Sequence, residues 1–291
     1  MGAPLFSIVI ANYNYGRFLE EALLSIINQS CQDFELIVVD GGSTDNSVDV
    51  ILQYAHRIAW WCSEKDRGQS HALNKGFSRA SGKYFTWLNA DDVMIKGGLA
   101  AVARKINQYP QCEWFIGSCY WLNEELRVVR CFRAHRFSTI RARWGHLSGG
   151  GPSSLFSKDL WKRVGGLDET LYFLMDIDLW HRFYFVGRKK YIRTSSYVWG
   201  YRIHEGSKMS GSVVAPEITE NQRNRLMAEA ELINLFARYG KSRRFERIAN
   251  WCSISLCDYL CTYLENLRKI GCAVSTLTSD LNKNEVPDGP T

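Results

Sequence analysis

Several common signatures are missing from this sequence, and each absence removes a class of protein. The nine cysteines show neither CxxC nor zinc-finger spacing. Cys252, Cys257 and Cys261 lie at helical intervals among apolar residues, which suits buried thiols in a reduced compartment better than a disulfide framework or a structural zinc site. No apolar run approaches the roughly 18–20 residues of a membrane span. The N-terminus, Met1-Gly-Ala-Pro-Leu-Phe-Ser, passes directly toward a strand without the layout of a signal peptide. The first loop, Ala11-Asn-Tyr-Asn-Tyr-Gly-Arg, has no GxGxxG, and a Walker A sequence is also missing. A phosphorylated ligand would therefore have its charge met by a metal and side chains instead of a glycine loop. Internal repeats and low-complexity segments are absent too. Acids are missing between Glu125 and Asp159, whereas Arg127, Arg130, Arg133, Arg136, Arg141, Arg143 and Lys158 are basic. This island fits a solvated face, or a surface for a phosphate-bearing or anionic-membrane partner. No reading motif for nucleic acid accompanies it.

What is present begins with the segment Lys83-Tyr-Phe-Thr-Trp-Leu-Asn-Ala-Asp-Asp, an apolar strand that ends in two carboxylates. Adjacent acids at the end of a buried strand call for neutralisation, and a divalent cation with phosphate oxygens on its far side is suited to provide it. The first hundred residues alternate the two periodicities. Strands are expected at 5–11, 34–40, 58–62 and 83–88, with helices at 18–27, 48–54, 70–79 and 99–109. Repeated βα units imply a mostly parallel sheet with helices on both faces, and ligands in such sheets bind beyond the carboxyl ends of the strands. Asn12-Tyr13-Asn14, Asp40, residues 64–68 and residues 89–92 should therefore share one rim. Further strands are expected at 114–121 and 127–132. Short helices follow near 158–164 and 176–185, with a glycine-rich loop, Ser148-Gly-Gly-Gly-Pro-Ser-Ser, before them.

Ser7-Ile-Val-Ile-Ala-Asn-Tyr-Asn, Glu35-Leu-Ile-Val-Val-Asp-Gly-Gly-Ser-Thr-Asp, Asp66-Arg-Gly-Gln-Ser-His-Ala-Leu-Asn-Lys-Gly, Trp87-Leu-Asn-Ala-Asp-Asp, Gly165-Gly-Leu-Asp-Glu, Met175-Asp-Ile-Asp-Leu-Trp and Arg202-Ile-His-Glu-Gly-Ser follow one another in order. Together they resemble the inverting glycosyltransferases of family 2. The resemblance implies a GT-A fold, an α/β three-layer sandwich with a mostly parallel central sheet. It implies nucleotide-sugar contacts at Ala11, Asn12, Tyr13, Asp40, Asp66, Gly68, Asn74, Asn89, Ala90 and Asp91. Mn²⁺ or Mg²⁺ would be held by Asp91, Asp92 and His204. Asp176 would be the catalytic base, with Asp178 as a rival two residues on. Gly150, Ser153 and Trp180 would stand on the acceptor side, although Trp180 also suits plain packing.

Two departures from the family pattern stand out. Gly41 replaces a second acid that often helps read a uracil ring, and Asn89 and Met175 replace acids in the DxD region and before the base. The implied partners are a nucleotide-sugar donor, UDP-linked by preference, and a glycan or lipid-linked acceptor. The implied location is cytoplasmic, with peripheral contact at the inner face of a membrane compatible with the basic island. The alternative reading is a non-catalytic glycan- or nucleotide-binding protein that keeps the fold. The expected domain plan is a catalytic domain over 1–213, divided near 110 into nucleotide and acceptor halves, then a helical extension over 214–275 and a polar tail over 276–291. The extension carries amphipathic helices near 217–239 and 242–269, with Arg243, Arg244 and Arg247 among them. These suit a cap on the catalytic domain, a homo-oligomer interface or a membrane-surface contact, and their sequence does not choose.

Overall fold

The computed structural model describes residues 2–134, 153–187, 191–204, 206 and 231. The chain divides into two compact units, Met1–Leu235 and Phe236–Thr291, and the second lies outside the described residues. So do the expected C-terminal helices and tail, and the part of the basic island beyond Ala134 that carries Arg136, Arg141 and Arg143.

The first half is a run of βα units: β1 (Phe6–Asn12), α1 (Gly16–Ile27), β2 (Phe34–Asp40), α2 (Ser47–Gln53), β3 (Trp60–Ser63), α3 (Gln69–Arg79) and β4 (Tyr84–Asn89). A two-residue strand β5 (Val93–Met94) and α4 (Gly98–Gln108) follow. The second half contributes β6 (Trp114–Leu122), β7 (Val128–Phe132), β8 (Ser154–Ser157), α5 (Lys158–Val164), α6 (Met175–Val186) and β9 (Ile192–Arg202). Among the described residues the strands form one sheet in the order β3-β2-β1-β4-β8-β6-β9-β5, with β7 on β6. The β3-β2-β1-β4 part is wholly parallel, while β8 runs antiparallel to both β4 and β6. Among the described residues the β4–β8 ladder pairs Tyr84 with Ser157 and Phe85 with Phe156.

Both faces of the sheet are covered, as the near-continuous apolar runs of its parallel strands require. On β1, Phe6, Ile8 and Ile10 join Leu19, Leu23 and Ile26 of α1 and Leu99, Val102 and Ile106 of α4 in one core. Residues of opposite parity face α3. That helix approaches so closely that a Cβ on Gly76 would stand 2.4 Å from Cγ1 of Val9, so glycine is what allows the contact. Beneath α3, α5 and α6 lies an aromatic core. Trp180 is stacked between Trp87 (centroids 5.4 Å, planes 7° apart) and Trp114 (5.7 Å, 19°), and Phe156 and Phe183 pack edge-on or tilted against it. The 11-residue β9 was not anticipated; it pairs parallel with β6 and antiparallel with β5.

Candidate active site

The parallel register brings polar strand ends into a row. Asn12 of β1 lies opposite Asp40 of β2, Asp40 opposite Ser63 of β3, and Ala11 opposite Asn89 of β4. The order 3-2-1-4 makes the β1/β4 boundary the point where the winding reverses, and beyond the carboxyl ends at such a point sheets of this kind have their binding crevice. The expected rim is thus built, but its residues divide into two groups.

One group faces inward and holds the rim together. Asp40 is fully buried. Its Oδ1 accepts hydrogen bonds from Asn12 Nδ2 (2.7 Å) and Ser43 Oγ (2.5 Å), and its Oδ2 accepts from Ser63 Oγ (2.6 Å) and the amides of Gly42 (3.2 Å) and Ser43 (2.9 Å). Burial alone would raise this carboxyl. The bonds from Ser43, Ser63 and Asn12 outweigh that and hold it below the usual carboxylate range. Its donors come from β1 (Asn12), from β3 (Ser63) and from the loop that follows β2 (Gly42 and Ser43), so Asp40 ties three neighbouring segments of the rim together. Asn12 is buried with it.

Asn74 is held in the same way: its carboxamide accepts from Leu167 N–H (2.9 Å) and donates to Leu167 C=O (3.0 Å), and it also donates to Glu169, so it clamps α3 to the loop before α6.

Asp92 is fully buried, and its oxygens accept from Asn89 Nδ2 (2.7 Å) and the amide of Arg202 (2.9 Å). Burial pushes its carboxyl well above the usual range, and the charge of Asp91 pushes it further. Trp180 and Ser153 are 0% and 1% exposed, so neither offers a face to an acceptor; Trp180 belongs to the aromatic stack. Gly150 lies outside the described residues.

The other group lines the crevice. Tyr13 is 58% exposed at its mouth, Ala11 is half-buried and Ala90 is buried at the turn after β4. Asp66 accepts the amide of Gly68 (2.8 Å), and Gly68 has a φ of 108° ahead of α3, a conformation glycine adopts without strain. Asp66 also explains Gly41. A Cβ at position 41 would sit 2.8 Å from Oδ2 of Asp66, so the carboxylate occupies the space that a side chain there would need. Asn89 has a similar logic. It donates to buried Asp92 and accepts from Gln69 Nε2 (2.8 Å), two roles at once that an ionised carboxylate, which only accepts, would not fill. Met175, likewise standing in for an acid, is buried and accepts from Ser70 Oγ (2.9 Å).

Asp91 and His204 meet at the end of β4. Nε2 of His204 lies 3.1 Å from Oδ2 of Asp91, and the Asp91 side chain is 13% exposed. Residues that the sequence reading did not assign fix this histidine. Phe18 packs on its ring (4.6 Å), Tyr15 meets it edge-on (5.7 Å), and Arg17 approaches its Nδ1 (3.4 Å). Burial and then the Asp91 charge raise the Tyr15 phenol, which donates to Gly206 C=O (2.8 Å). Arg202 is buried beneath, pairing with Glu21 and packing its guanidinium on Phe18 (4.6 Å). Among the described residues no three His, Cys, Asp or Glu side chains group to hold a metal. Asp91 and His204 offer a carboxylate oxygen and an imidazole nitrogen, donors of the kind that would suit a divalent cation otherwise ligated by water and substrate phosphates.

Asp176 begins α6 and is half-buried, with Oδ1 accepting the amide of Ile177 (2.7 Å). Asp178 is fully buried and ion-paired to Arg182 (2.6 Å), whose guanidinium also caps the carbonyls of Val164 and Gly166, so it is not available as a base. Among the described residues no helix is long and apolar enough to cross a membrane.

Residues 7–145 match the family model described as Glycosyl transferase family 2. The chain is 29% identical over 189 residues to an uncharacterized glycosyltransferase of Rickettsia prowazekii, covering 62% of this chain and 59% of that one. It is 36% identical over 140 residues to a PGL/p-HBAD biosynthesis glycosyltransferase of Mycobacterium tuberculosis, covering 47% and 55%. It thus spans less than two thirds of the length of these curated relatives. Residues 1–349 of S. aureus TarS, solved with UDP-GlcNAc, superpose with a TM-score of 0.59 at 19% identity, covering 82% of this chain and 71% of that one. The mannosyltransferase PcManGT of Pyrobaculum calidifontis, solved with GDP-Man and Mn²⁺, gives 0.58 at 18% identity, covering 94% and 81%. These likenesses establish the shared α/β, GT-A-like fold.

Proposed function

We propose, from the premise that residues 7–145 form a family 2 glycosyltransferase domain, that this protein moves a sugar from a nucleoside diphosphate sugar to an acceptor hydroxyl with inversion. The observation that carries the proposal is the Asp91–His204 pair at the carboxyl end of β4, where 3.1 Å separates donors drawn from opposite ends of the domain. Asp91 and His204 would hold Mn²⁺ or Mg²⁺, which would neutralise charge on the departing diphosphate. Asp176 would accept the acceptor's proton as its oxygen bonds to the anomeric carbon and the carbon–phosphate oxygen bond breaks, a role worth about 10²–10⁴-fold. A single base and direct displacement give inversion with no covalent glycosyl-enzyme.

Ala11, Tyr13, Asp66, Gly68 and Ala90 would line the nucleotide, with Asn12, Asp40, Asn74 and Asn89 supporting them from behind. The Asp66 carboxylate beside Gly41 is an acceptor that could meet the imide N–H of uracil or the N1–H and amino group of guanine, and a UDP-linked donor is the reading put forward. A glycan or lipid-linked acceptor in cell-surface polysaccharide or glycolipid assembly is in keeping with the mycobacterial relative's part in PGL/p-HBAD biosynthesis. Peripheral contact with the inner face of a membrane would bring the chain to such an acceptor. The test is nucleoside diphosphate release from a panel of UDP- and GDP-sugars, with and without Mn²⁺. Release from a UDP-sugar that rises with Mn²⁺ is the expected result. Nucleotide binding without release from any donor would favour a non-catalytic binding protein instead.

A further inference from the structure

Glu231 lies outside the segment matched by the family model, yet its carboxylate reaches the entry of α6. The amide of Tyr172 donates to Oε1 (2.6 Å), and those of Phe173 and Leu174 donate to Oε2 (2.9 and 3.0 Å). Three consecutive backbone N–H groups converge on one carboxylate immediately before Met175, where α6 begins with no side-chain cap of its own at Leu174. Charge-assisted bonds of this kind are the strong ones, and negative charge at a helix N-terminus is favourable. Further along α6, Asp178 and Arg182 tie the helix to the carbonyls of Val164 and Gly166 at the end of α5. Glu231 fixes the first turn and Arg182 fixes the next, and Asp176 lies between them.

We infer that Glu231 is a positioning residue for the transfer reaction: it gathers the 172–174 amides and thereby sets where α6 presents Asp176. This rests on the reading of Asp176 as the base. A base must be held to about 0.5 Å, and a 1 Å misplacement costs about 10²-fold, so releasing three amides at the helix entry should be felt in turnover before it is felt in donor binding.

The test uses the full chain and its Glu231→Ala and Glu231→Gln variants, with a UDP-sugar that the wild type turns over. Glu231→Ala should speed amide hydrogen exchange in residues 172–174 by tenfold or more and lower kcat by about 10²-fold. Affinity for UDP measured by calorimetry should stay within about twofold, since the nucleotide rim is untouched. Glu231→Gln, with one carbonyl to offer, should fall between, and it supplies the same readouts if the alanine variant does not fold. Faster exchange with unchanged kcat would reduce Glu231 to a cap, and unchanged exchange would remove the contact itself; either overturns the inference. So would UDP affinity falling in step with kcat, because that marks general loosening. A wild type that releases nucleoside diphosphate from no donor would overturn the transferase reading and this inference together, an outcome distinct from an active wild type with indifferent variants.

Discussion

Replacing Asp40 by alanine separates two roles that a carboxylate at the end of a strand can have. In the structure Asp40 accepts from five donors, and three of them, the Asn12 amide and the backbone N–H groups of Gly42 and Ser43, cannot reverse to become acceptors. Each buried donor left unmet costs about 1–3 kcal/mol, and water entering the small cavity recovers part of this, for a net loss of about 4 kcal/mol. That lowers the folded-to-unfolded ratio by roughly 10³ and the melting temperature by roughly 8–16 °C for a domain of this size. Asp40→Asn should lose only about half as much. Oδ1 of Asn12 is buried without a partner, so Asn12 can turn its carboxamide to accept from the new amide. Differential scanning calorimetry across pH adds a second check. The folded pKa of Asp40 lies below its ordinary value, so its stabilisation is fully present above about pH 4 and fades as pH falls through the lower folded value. The gap between wild type and Asp40→Ala should therefore close in acid. A melting temperature unchanged within about 2 °C, with UDP affinity reduced tenfold or more, would refute this reasoning and restore Asp40 as a direct nucleotide ligand.

Asp176→Asn should abolish transfer, by about 10²-fold or more, while UDP binding by calorimetry stays nearly intact; unchanged turnover would sink the base assignment. Asp91→Asn should remove most of the Mn²⁺ dependence of UDP binding with little change in melting temperature. Asp92→Asn should do the reverse, since its amide would confront that of Asn89. Trp180→Ala should cost about 3–5 kcal/mol in calorimetric unfolding by emptying the centre of the aromatic stack. Intact stability with altered acceptor choice would instead return it to the acceptor face.

The parallel half of the fold was legible because its strands are buried on both faces and its helices are amphipathic, so apolar runs and 3.6-residue spacing coincide with β1, β2, β4, α1 and α3. β9 escaped because Ile192-Arg-Thr-Ser-Ser-Tyr-Val-Trp-Gly-Tyr-Arg mixes polar residues and glycine, and its strand form comes from pairing with the distant β6. β5 is too short to leave a pattern. At the site, the order of motifs led to the placement of Asp91 and His204. A polar residue at a strand or helix end, such as Asp40, Asn74 or Asp92, reads the same in sequence whether it faces a ligand or satisfies a neighbouring segment. Their tertiary partners, Ser63 for Asp40, Leu167 for Asn74 and Arg202 for Asp92, are set by contacts distant in sequence and left no pattern. Glu231 left no signal, since one acid in an amphipathic segment resembles any other.

The stack of Trp87, Trp180 and Trp114 has a consequence for observation. Near-parallel indoles 5.4 and 5.7 Å apart are close enough for their electronic transitions to couple, and a skew of the in-plane transition dipoles within the stack would give an exciton couplet in circular dichroism. Trp87 is on the strand that delivers Asp91, and Trp180 is on the helix whose first turn carries Asp176. The couplet is therefore an intrinsic optical gauge of the spacing between strand and helix. It could be followed without a label as donor, metal or acceptor is added.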